Sequence, residues 1–214
     1  MDTSRIYQED WSRDQRLREL FDVTRSELID VVREVVGARA DAVENDPNFT
    51  PGMFAYIHGV RNTRGLFRPK GWNNNRKRNV ELVTHPERQL SIAYQSVDLA
   101  AVEGRTPQAI SEKGTGSKRV VDDHQLSLFG TSGLDQIDQS PPPSMSGLWH
   151  LCVSINGNDI RAEISLFDGI ENGNFKRCIE RIFLLVEGEW DNLSDSDFDN
   201  EDATEFKPVI RRRG

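Results

Sequence analysis

Apolar residues between positions 10 and 38 recur every three or four positions, which is the period of an amphipathic helix. The stripe consists of Trp11, Leu17, Leu20, Phe21, Leu28, Val31, Val32 and Val35. Charged residues of both signs fill the positions between them, as on a helix face that contacts water. Turn-forming residues at 45–48 and 50–52 then interrupt the pattern. The pattern therefore predicts one long N-terminal helix.

Alternation of apolar and polar residues predicts strands in the next part of the chain. Residues 53–60 are a candidate strand that leads into a loop. A hairpin is predicted over 80–94, because pairing Leu82 with Ile92 puts every larger apolar residue except Val83 on one face.

A second hairpin has the clearest signal in the chain. Its turn is the sequence Asn156, Gly157, Asn158 and Asp159, in which each residue is typical of a tight turn. Pairing Ile155 with Ile160 continues without a break to Trp149 opposite Leu166, and one face of the hairpin is then apolar throughout. The other face collects His150, Cys152, Ser154, Arg161, Glu163 and Ser165.

Residues 174–187 fit two structures. The apolar spacing favours a helix that begins after an Asn174 cap and ends at Gly188. The alternative is a short buried strand over residues 181–186, because a continuous apolar run does not distinguish the two by period alone.

Two stretches are too polar to build a core. Residues 104–147 are rich in glycine, proline, serine and aspartate, and residues 187–206 contain nine acids and no base. The chain therefore predicts an α+β fold: a long N-terminal helix packed on a small, mainly antiparallel sheet of hairpins, with a long flexible loop and an acidic tail. We expect one domain over residues 1–190, which includes the loop at 104–147, and an acidic tail with a basic end over 191–214.

The composition of the chain predicts the cellular compartment of the protein. The longest apolar run, from residue 182 to 186, has five residues, whereas a membrane-spanning helix needs roughly 20. The N-terminus lacks the apolar core of a signal peptide, so a cytoplasmic protein with reduced thiols at Cys152 and Cys178 is predicted. Histidines and cysteines lack metal-ligand spacing, so no metal and no cofactor is expected.

A short apolar peptide stands inside the polar segment 104–147. It consists of Gln125, Leu126, Ser127, Leu128 and Phe129. The peptide resembles, at every position, the linear motif by which bacterial polymerases, mismatch-repair proteins and replication regulators bind the ring-shaped sliding clamp. The resemblance covers these five residues and carries no information on the fold of the rest of the chain. The alternative is that the peptide packs back on the core or forms a short edge strand.

The resemblance implies a role for each side chain. Leu128 and Phe129 would enter the hydrophobic pocket of the clamp, Gln125 would form hydrogen bonds, and Leu126 would cover the rim. Burial of each of the two pocket residues is worth roughly 1.5–3 kcal/mol, and the cost of ordering the peptide takes part of that back. A weak, reversible contact is therefore expected.

A basic stretch between residues 58 and 79 is the second candidate site. It has seven cations, no acid, and two interleaved aromatic residues, in a chain whose net charge is −8. The candidate nucleic-acid-binding residues are Arg61, Arg64, Phe67, Arg68, Lys70, Trp72, Arg76, Lys77 and Arg78. Arginine suits phosphate oxygens and aromatic faces suit unstacked bases, so contact with DNA or RNA is predicted. The alternative is a solvated loop whose arginines pair with the acidic tail.

The sequence gives only weak support for any catalytic residue. His150, Cys152 and Glu163 share the polar face of the second hairpin, and the register makes Cys152 and Glu163 cross-strand neighbours. However, residues two apart on a strand project in parallel rather than converge. A nuclease site would need a lysine where Ser165 stands. Whether any reaction is catalysed stays open, and a non-enzymatic protein is favoured.

Three hypotheses follow from the sequence. The first is an accessory protein of DNA metabolism, in replication, repair or phage defence, that docks on the sliding clamp through residues 125–129 and contacts nucleic acid through residues 61–78. The second is a divergent nuclease, or another DNA-acting enzyme, that the clamp recruits. The third is a purely protein-binding module.

Overall fold

The computed structural model describes residues 4–77, 79–111 and 146–196. In this part of the chain the helices are α1 (Asp10–Phe21), α2 (Arg25–Ala40), α3 (Thr50–Phe67) and α4 (Glu189–Ser196), with a 3₁₀ turn at Arg68–Lys70. The strands are β1 (Arg5–Tyr7), β2 (Asn73–Lys77), β3 (Val80–Thr84), β4 (Leu90–Ser96), β5 (Gly147–Asn156), β6 (Asp159–Phe167), β7 (Ile170–Glu171), β8 (Asn174–Phe175) and β9 (Cys178–Leu185).

Seven strands form one mixed sheet in the order β1-β9-β6-β5-β4-β3-β2. The pairs β1–β9 and β4–β5 are parallel and the other neighbours are antiparallel. The remaining two strands, β7 and β8, form a small separate hairpin. The predicted α+β class with a mainly antiparallel sheet is confirmed at this level.

Both faces of the sheet are covered. Helices α1 to α3 pack on one face around a large core that includes Phe21, Leu28 and Trp149. On the other face a smaller core contains Ala100, Phe167 and residues of the β7–β8 hairpin. The central strands β5, β6 and β9 are consequently buried almost along their whole length. None of the described helices is long and apolar enough to cross a membrane.

The second hairpin has the predicted register. Ile155 pairs with Ile160, and Trp149 pairs with Leu166 six residues along the ladder. The turn chemistry at 156–159 and the apolar alternation select the same pairing, so the sequence specifies it without help from the rest of the fold.

The single long N-terminal helix is wrong, because the chain breaks between α1 and α2. Asp22 ends α1 in the left-handed conformation, with φ 54°. Thr24 then begins α2 with a capping box, in which its hydroxyl accepts from the Glu27 amide and the Glu27 carboxylate accepts from the Thr24 amide. The predicted stripe is buried except Trp11, whose surface is 79% exposed.

The strand predicted over 53–60 is also wrong, because these residues lie in α3. Pro51 is in the first turn, where a proline is tolerated because its missing amide has no helical partner. Gly59 faces β4 so closely that a Cβ there would lie 2.5 Å from the Tyr94 ring. Glycine therefore lets α3 approach the sheet, and short-range alternation carries no signal of that contact.

The first hairpin forms, but its register differs from the prediction by one residue. Val83 pairs with Ile92, so Leu82 and Ile92 belong to cores on opposite faces of the sheet. When both faces are buried, an apolar residue fits either face, and alternation loses its power to choose the register.

The helix favoured over 174–187 is wrong. These residues form β8 and then β9, a strand between β1 and β6 that is buried on both faces. The alternative strand over 181–186 is the closer prediction. Burial on both faces fills consecutive positions with apolar residues, and such a run also satisfies a helical period.

Replacement of Thr24 by alanine should lower the free energy of unfolding by about 1 kcal/mol, because it removes the hydroxyl that caps α2. Urea denaturation followed by circular dichroism measures the change as a lower midpoint with an unchanged slope. Ser26→Ala, at an exposed position in the same turn, is the control and should leave the midpoint nearly unchanged. Equal midpoints for Thr24→Ala and wild type would contradict the assigned cap.

Candidate nucleic-acid interface

The basic stretch is not a loop, as the sequence predicted. It occupies the second half of α3, the 3₁₀ turn and β2, while Arg78 lies outside the described residues. Arg61, Arg64 and Arg68 follow each other at intervals of three and four residues, which places them on one side of the helix and its extension. The fold thus converts a run of cations into an ordered row.

This row lines an open hollow of about 790 Å³, the α3–β2 groove. Its walls are Tyr56, Ile57, Val60, Arg61, Arg64, Gly65, Arg68, Pro69 and Asn74. The groove therefore joins three guanidinium groups to an aromatic ring and apolar side chains in one surface. Burial raises the pKa of Tyr56, and the neighbouring Glu81 raises it further, so its hydroxyl remains a neutral hydrogen-bond donor.

The two aromatic residues predicted to stack on bases are buried instead. Phe67 and Trp72 pack against each other with ring centroids 4.8 Å apart, and both lie close to Phe21 in the main core. They hold the 3₁₀ turn on the sheet and are closed to a ligand. Tyr56 takes their place as the aromatic residue at the groove, and the sequence did not reveal it because α3 was not recognised as a helix.

Acidic side chains neutralise part of the basic stretch. Glu81 on β3 pairs with Arg64 at 2.6 Å and with Arg76 at 3.2 Å. Lys70 pairs with Glu27 of α2 at 3.0 Å. These ion pairs hold the basic side chains in place. Pairing with the acidic tail was the alternative drawn from the sequence, whereas these partners lie on β3 and α2.

Arg61 and Arg68 differ from these residues. Within the described part of the chain no carboxylate lies within 4.0 Å of either guanidinium, and both side chains are exposed. Arg61 is 3.5 Å from the His58 ring, the one recorded polar contact of its guanidinium. Two arginines are thus available at opposite ends of the groove for an external anion.

The outer side of the N-terminal half of helix α3, together with the preceding residue Phe49, is exposed and apolar. Phe49, Met53 and Ile57 recur every four residues and are 65%, 41% and 40% exposed. Contiguous exposed apolar residues on a folded domain commonly mark a surface that another chain covers. The outer side of α3 therefore has an apolar half and a basic half.

The catalytic candidates are enclosed in the sheet. Glu163 and Cys152 are cross-strand neighbours, as predicted, but neither is exposed to solvent. The His150 ring packs edge-on against the stacked rings of Phe167 and Phe175, with ring centroids 5.3 and 5.2 Å away. It reaches a hollow of about 450 Å³ beside Tyr94, which neither Cys152 nor Glu163 lines.

Glu163 has a structural role that occupies both of its carboxylate oxygens. Arg181 donates from Nε to Oε1 at 3.0 Å and from Nη2 to Oε2 at 2.6 Å. Ser165 donates to Oε1 and the Ala101 amide donates to Oε2. Burial alone would lower the pKa of Arg181, but the bond to Glu163 outweighs it, so the pKa of Arg181 is raised.

The polar face of the second hairpin therefore has a structural role. It binds the backbone of the segment that covers it, because Glu163 accepts from the Ala101 amide and Ser154 accepts from the Ala100 amide at 3.0 Å. Arg181 of the neighbouring strand β9 adds a bond to the Val102 carbonyl at 2.8 Å. Ala101 has φ 51°, an unusual conformation for alanine that the bond to Glu163 holds. Among the described residues no cluster of three or more His, Cys, Asp or Glu suits a metal ion.

The clamp-binding peptide predicted at Gln125, Leu126, Ser127, Leu128 and Phe129 lies outside the described residues. The residues that flank the undescribed segment are ordered in the sheet. The Ile110 amide donates to Ser96 at one end of β4, and the Gly147 amide donates to Gln89 beside the other end. The described residues on the two sides of positions 112–145 thus lie near opposite ends of one strand.

Comparison with known proteins adds no relative: no family model, no curated protein and no solved structure matches this chain.

Arg181→Met should lower the free energy of unfolding by about 3–5 kcal/mol, because it leaves the carboxylate of Glu163 buried without its cation. Arg177→Met is the matched control at the beginning of β9. The arginine of its ion pair with Asp168 is 59% accessible and the aspartate 18%, so water reaches the pair and a change of less than about 1 kcal/mol is expected. Chemical denaturation of the two variants measures both values, and similar losses would show that burial does not set the strength of the inner pair.

Proposed function

We propose that this protein is an accessory factor of DNA metabolism that docks on the bacterial sliding clamp through residues 125–129 and contacts nucleic acid through the α3–β2 groove. The observation that carries the nucleic-acid part is the row of Arg61, Arg64 and Arg68 along an open groove that also contains Tyr56. The clamp part is supported by the five-residue motif.

The groove suits a phosphate backbone in its chemistry. A guanidinium group binds phosphate oxygens through a fork of N–H donors, and the apolar wall at Ile57 and Val60 suits sugar carbons. Contacts of this kind position a protein on nucleic acid without reading its sequence. Since the whole chain has a net charge of −8, binding must come from this local surface and should weaken steeply with salt.

The position of the peptide suits docking on a second protein. The seven residues of β4 separate the two anchor points by about 20 Å, whereas residues 112–145 could extend over about 110 Å. The chain is therefore long enough to present Leu128 and Phe129 away from the domain while its ends stay in the sheet. A peptide between two fixed ends also loses less freedom on binding than a free one.

Two weak contacts, one with the clamp and one with nucleic acid, together give a higher affinity than either contact alone. A clamp that encircles DNA brings its client to the duplex, so the second contact forms at a high effective concentration. The groove then needs to supply only modest affinity. The nuclease alternative loses support, because both oxygens of Glu163 are already bonded within the core.

Replacing Leu128 and Phe129 together by alanine should weaken binding to a purified bacterial sliding clamp by more than tenfold, because the two side chains that fill its pocket are lost. Surface plasmon resonance with immobilised clamp measures the dissociation constant. A double variant with Leu134→Ala and Ile137→Ala, in the same segment, is the control and should bind as wild type does. Absence of binding by the wild type would refute the clamp assignment.

Replacing Arg61 and Arg68 together by alanine should reduce affinity for nucleic acid and lower the slope of log affinity against log salt by about 2, roughly one for each lost phosphate contact. Fluorescence anisotropy with single-stranded and double-stranded DNA and RNA, over a series of salt concentrations, gives both quantities. Arg18→Ala combined with Lys176→Ala changes net charge equally at exposed positions outside the groove. Equal losses in the two variants would show that the groove is not the binding surface.

A further inference from the structure

The outer side of α3 offers two kinds of contact in sequence. Its first half exposes Phe49, Met53 and Ile57, and its second half leads to Arg61 and Arg68 in the α3–β2 groove. A nucleic acid accounts for the basic half but leaves the apolar half uncovered. An acidic peptide with aromatic side chains would match both halves.

The chain contains such a peptide. Residues 197–206 carry five acids, two phenylalanines and no base. These residues are Asp197, Phe198, Asp199, Glu201, Asp202, Glu205 and Phe206. The acids complement the arginines of the groove, and the phenylalanines complement the exposed apolar residues of α3.

Helix α4, which precedes this peptide, begins on the side of the domain where the basic half of α3 ends. Glu189, the first residue of α4, is 3.0 Å from Arg25 in the first turn of α2. Glu27, in that same turn, is 3.0 Å from Lys70, which lies two residues beyond Arg68. The start of α4 and the end of the groove thus share one turn of α2 as a neighbour.

The distances also agree. Helix α4 has eight residues and is about 12 Å long, so its end stays near this side of the domain. The peptide 197–206 can extend over about 33 Å. Helix α3, with 18 residues, is about 27 Å long, so the extended peptide is slightly longer than the helix.

We infer that residues 197–206 dock on the outer side of α3, with their carboxylates at Arg61 and Arg68 and with Phe206, at the far end of the peptide, on the apolar half. Tethering holds the peptide at a high effective concentration, so a weak contact is sufficient. The attraction between exposed charges falls with salt. As a consequence, which rests on the proposed nucleic-acid contact, the peptide competes with phosphates for the groove and restrains binding until a stronger polyanion displaces it.

Paramagnetic relaxation tests the docking without nucleic acid. A nitroxide attached to Ala203→Cys in the full chain labels that position, because Cys152 and Cys178 are buried. At low salt the label should broaden backbone amide signals of residues 57–68 and spare those of the β7–β8 hairpin, and 0.5 M salt should abolish the effect. Broadening should also be lost when Arg61 and Arg68 are both alanine. Uniform broadening, or no response to these two substitutions, would overturn the inference.

Nucleic-acid binding tests the competition. Asp197→Asn, Asp199→Asn, Glu201→Gln, Asp202→Asn and Glu205→Gln together should raise affinity for DNA at low salt several-fold. The control neutralises five exposed acids elsewhere, with Glu34→Gln, Asp41→Asn, Glu44→Gln, Glu87→Gln and Glu103→Gln. An equal gain in the control would attribute the effect to net charge and overturn the competition. Clear paramagnetic docking without DNA binding by any variant would instead refute the nucleic-acid contact and leave the docking intact.

Discussion

Burial of the sheet on both faces is the constraint on which the rest of this structure depends. A central strand that is covered on both sides cannot place a charged residue in water, yet β6 and β9 contain Glu163, Glu180 and Arg181. Each is therefore paired: Glu163 with Arg181 in the sheet, and Glu180 with Arg16 of α1 at 2.6 Å. Because an unpaired buried charge is very costly, these contacts exclude any register that would separate them.

The same pairs connect the layers of the fold. Arg16 ties α1 to β9, and Glu163 ties the covering segment at Ala101 to the opposite face. A buried pair adds little net stability compared with a well-packed apolar pair, since desolvation of the charges is expensive. Its effect is to specify one arrangement. We interpret the polar face of the second hairpin in this way, as a template for backbone atoms rather than as a reactive site.

Helix α3 depends on a different contact. Gly59 lets the helix lie directly on the Tyr94 ring, and this side of α3 is thereby fixed against the sheet. Arg61, Arg64 and Arg68 are left on the solvent side, where they line the groove. A residue with a Cβ at position 59 would push the helix away from β4. The glycine on the inner side of α3 therefore fixes the position of the helix, and with it the position of the arginines on the outer side.

Local signals predicted the parts of this chain that local chemistry decides. The hairpin around Asn156 and Gly157 was predicted to the residue because its turn and its alternation agree. The apolar stripe runs through the break before α2 and predicts one helix, whereas the structure has a capping box of Thr24 and Glu27 there. The helix favoured at β9 and the strand predicted at α3 are wrong because pairing of β9 with β1 and β6 and close packing of α3 on Tyr94 decide these elements, and neither contact leaves a short-range pattern.

The candidate site also has one part that the sequence predicts and one part that only the fold creates. A linear motif can be proposed from five residues of sequence alone, whereas the groove exists only after α3 and β2 come together. The basic character of residues 58–79 is evident from the sequence, but the fold decides that Phe67 and Trp72 lie in the core and that Tyr56 lines the groove. Screening over about 8 Å at physiological salt then isolates Arg61 and Arg68 from the distant acids of the chain. A protein of net negative charge can therefore retain a surface that suits anions. The condition is that the nearest carboxylates are paired with other cations or belong to a segment that regulates access to that surface.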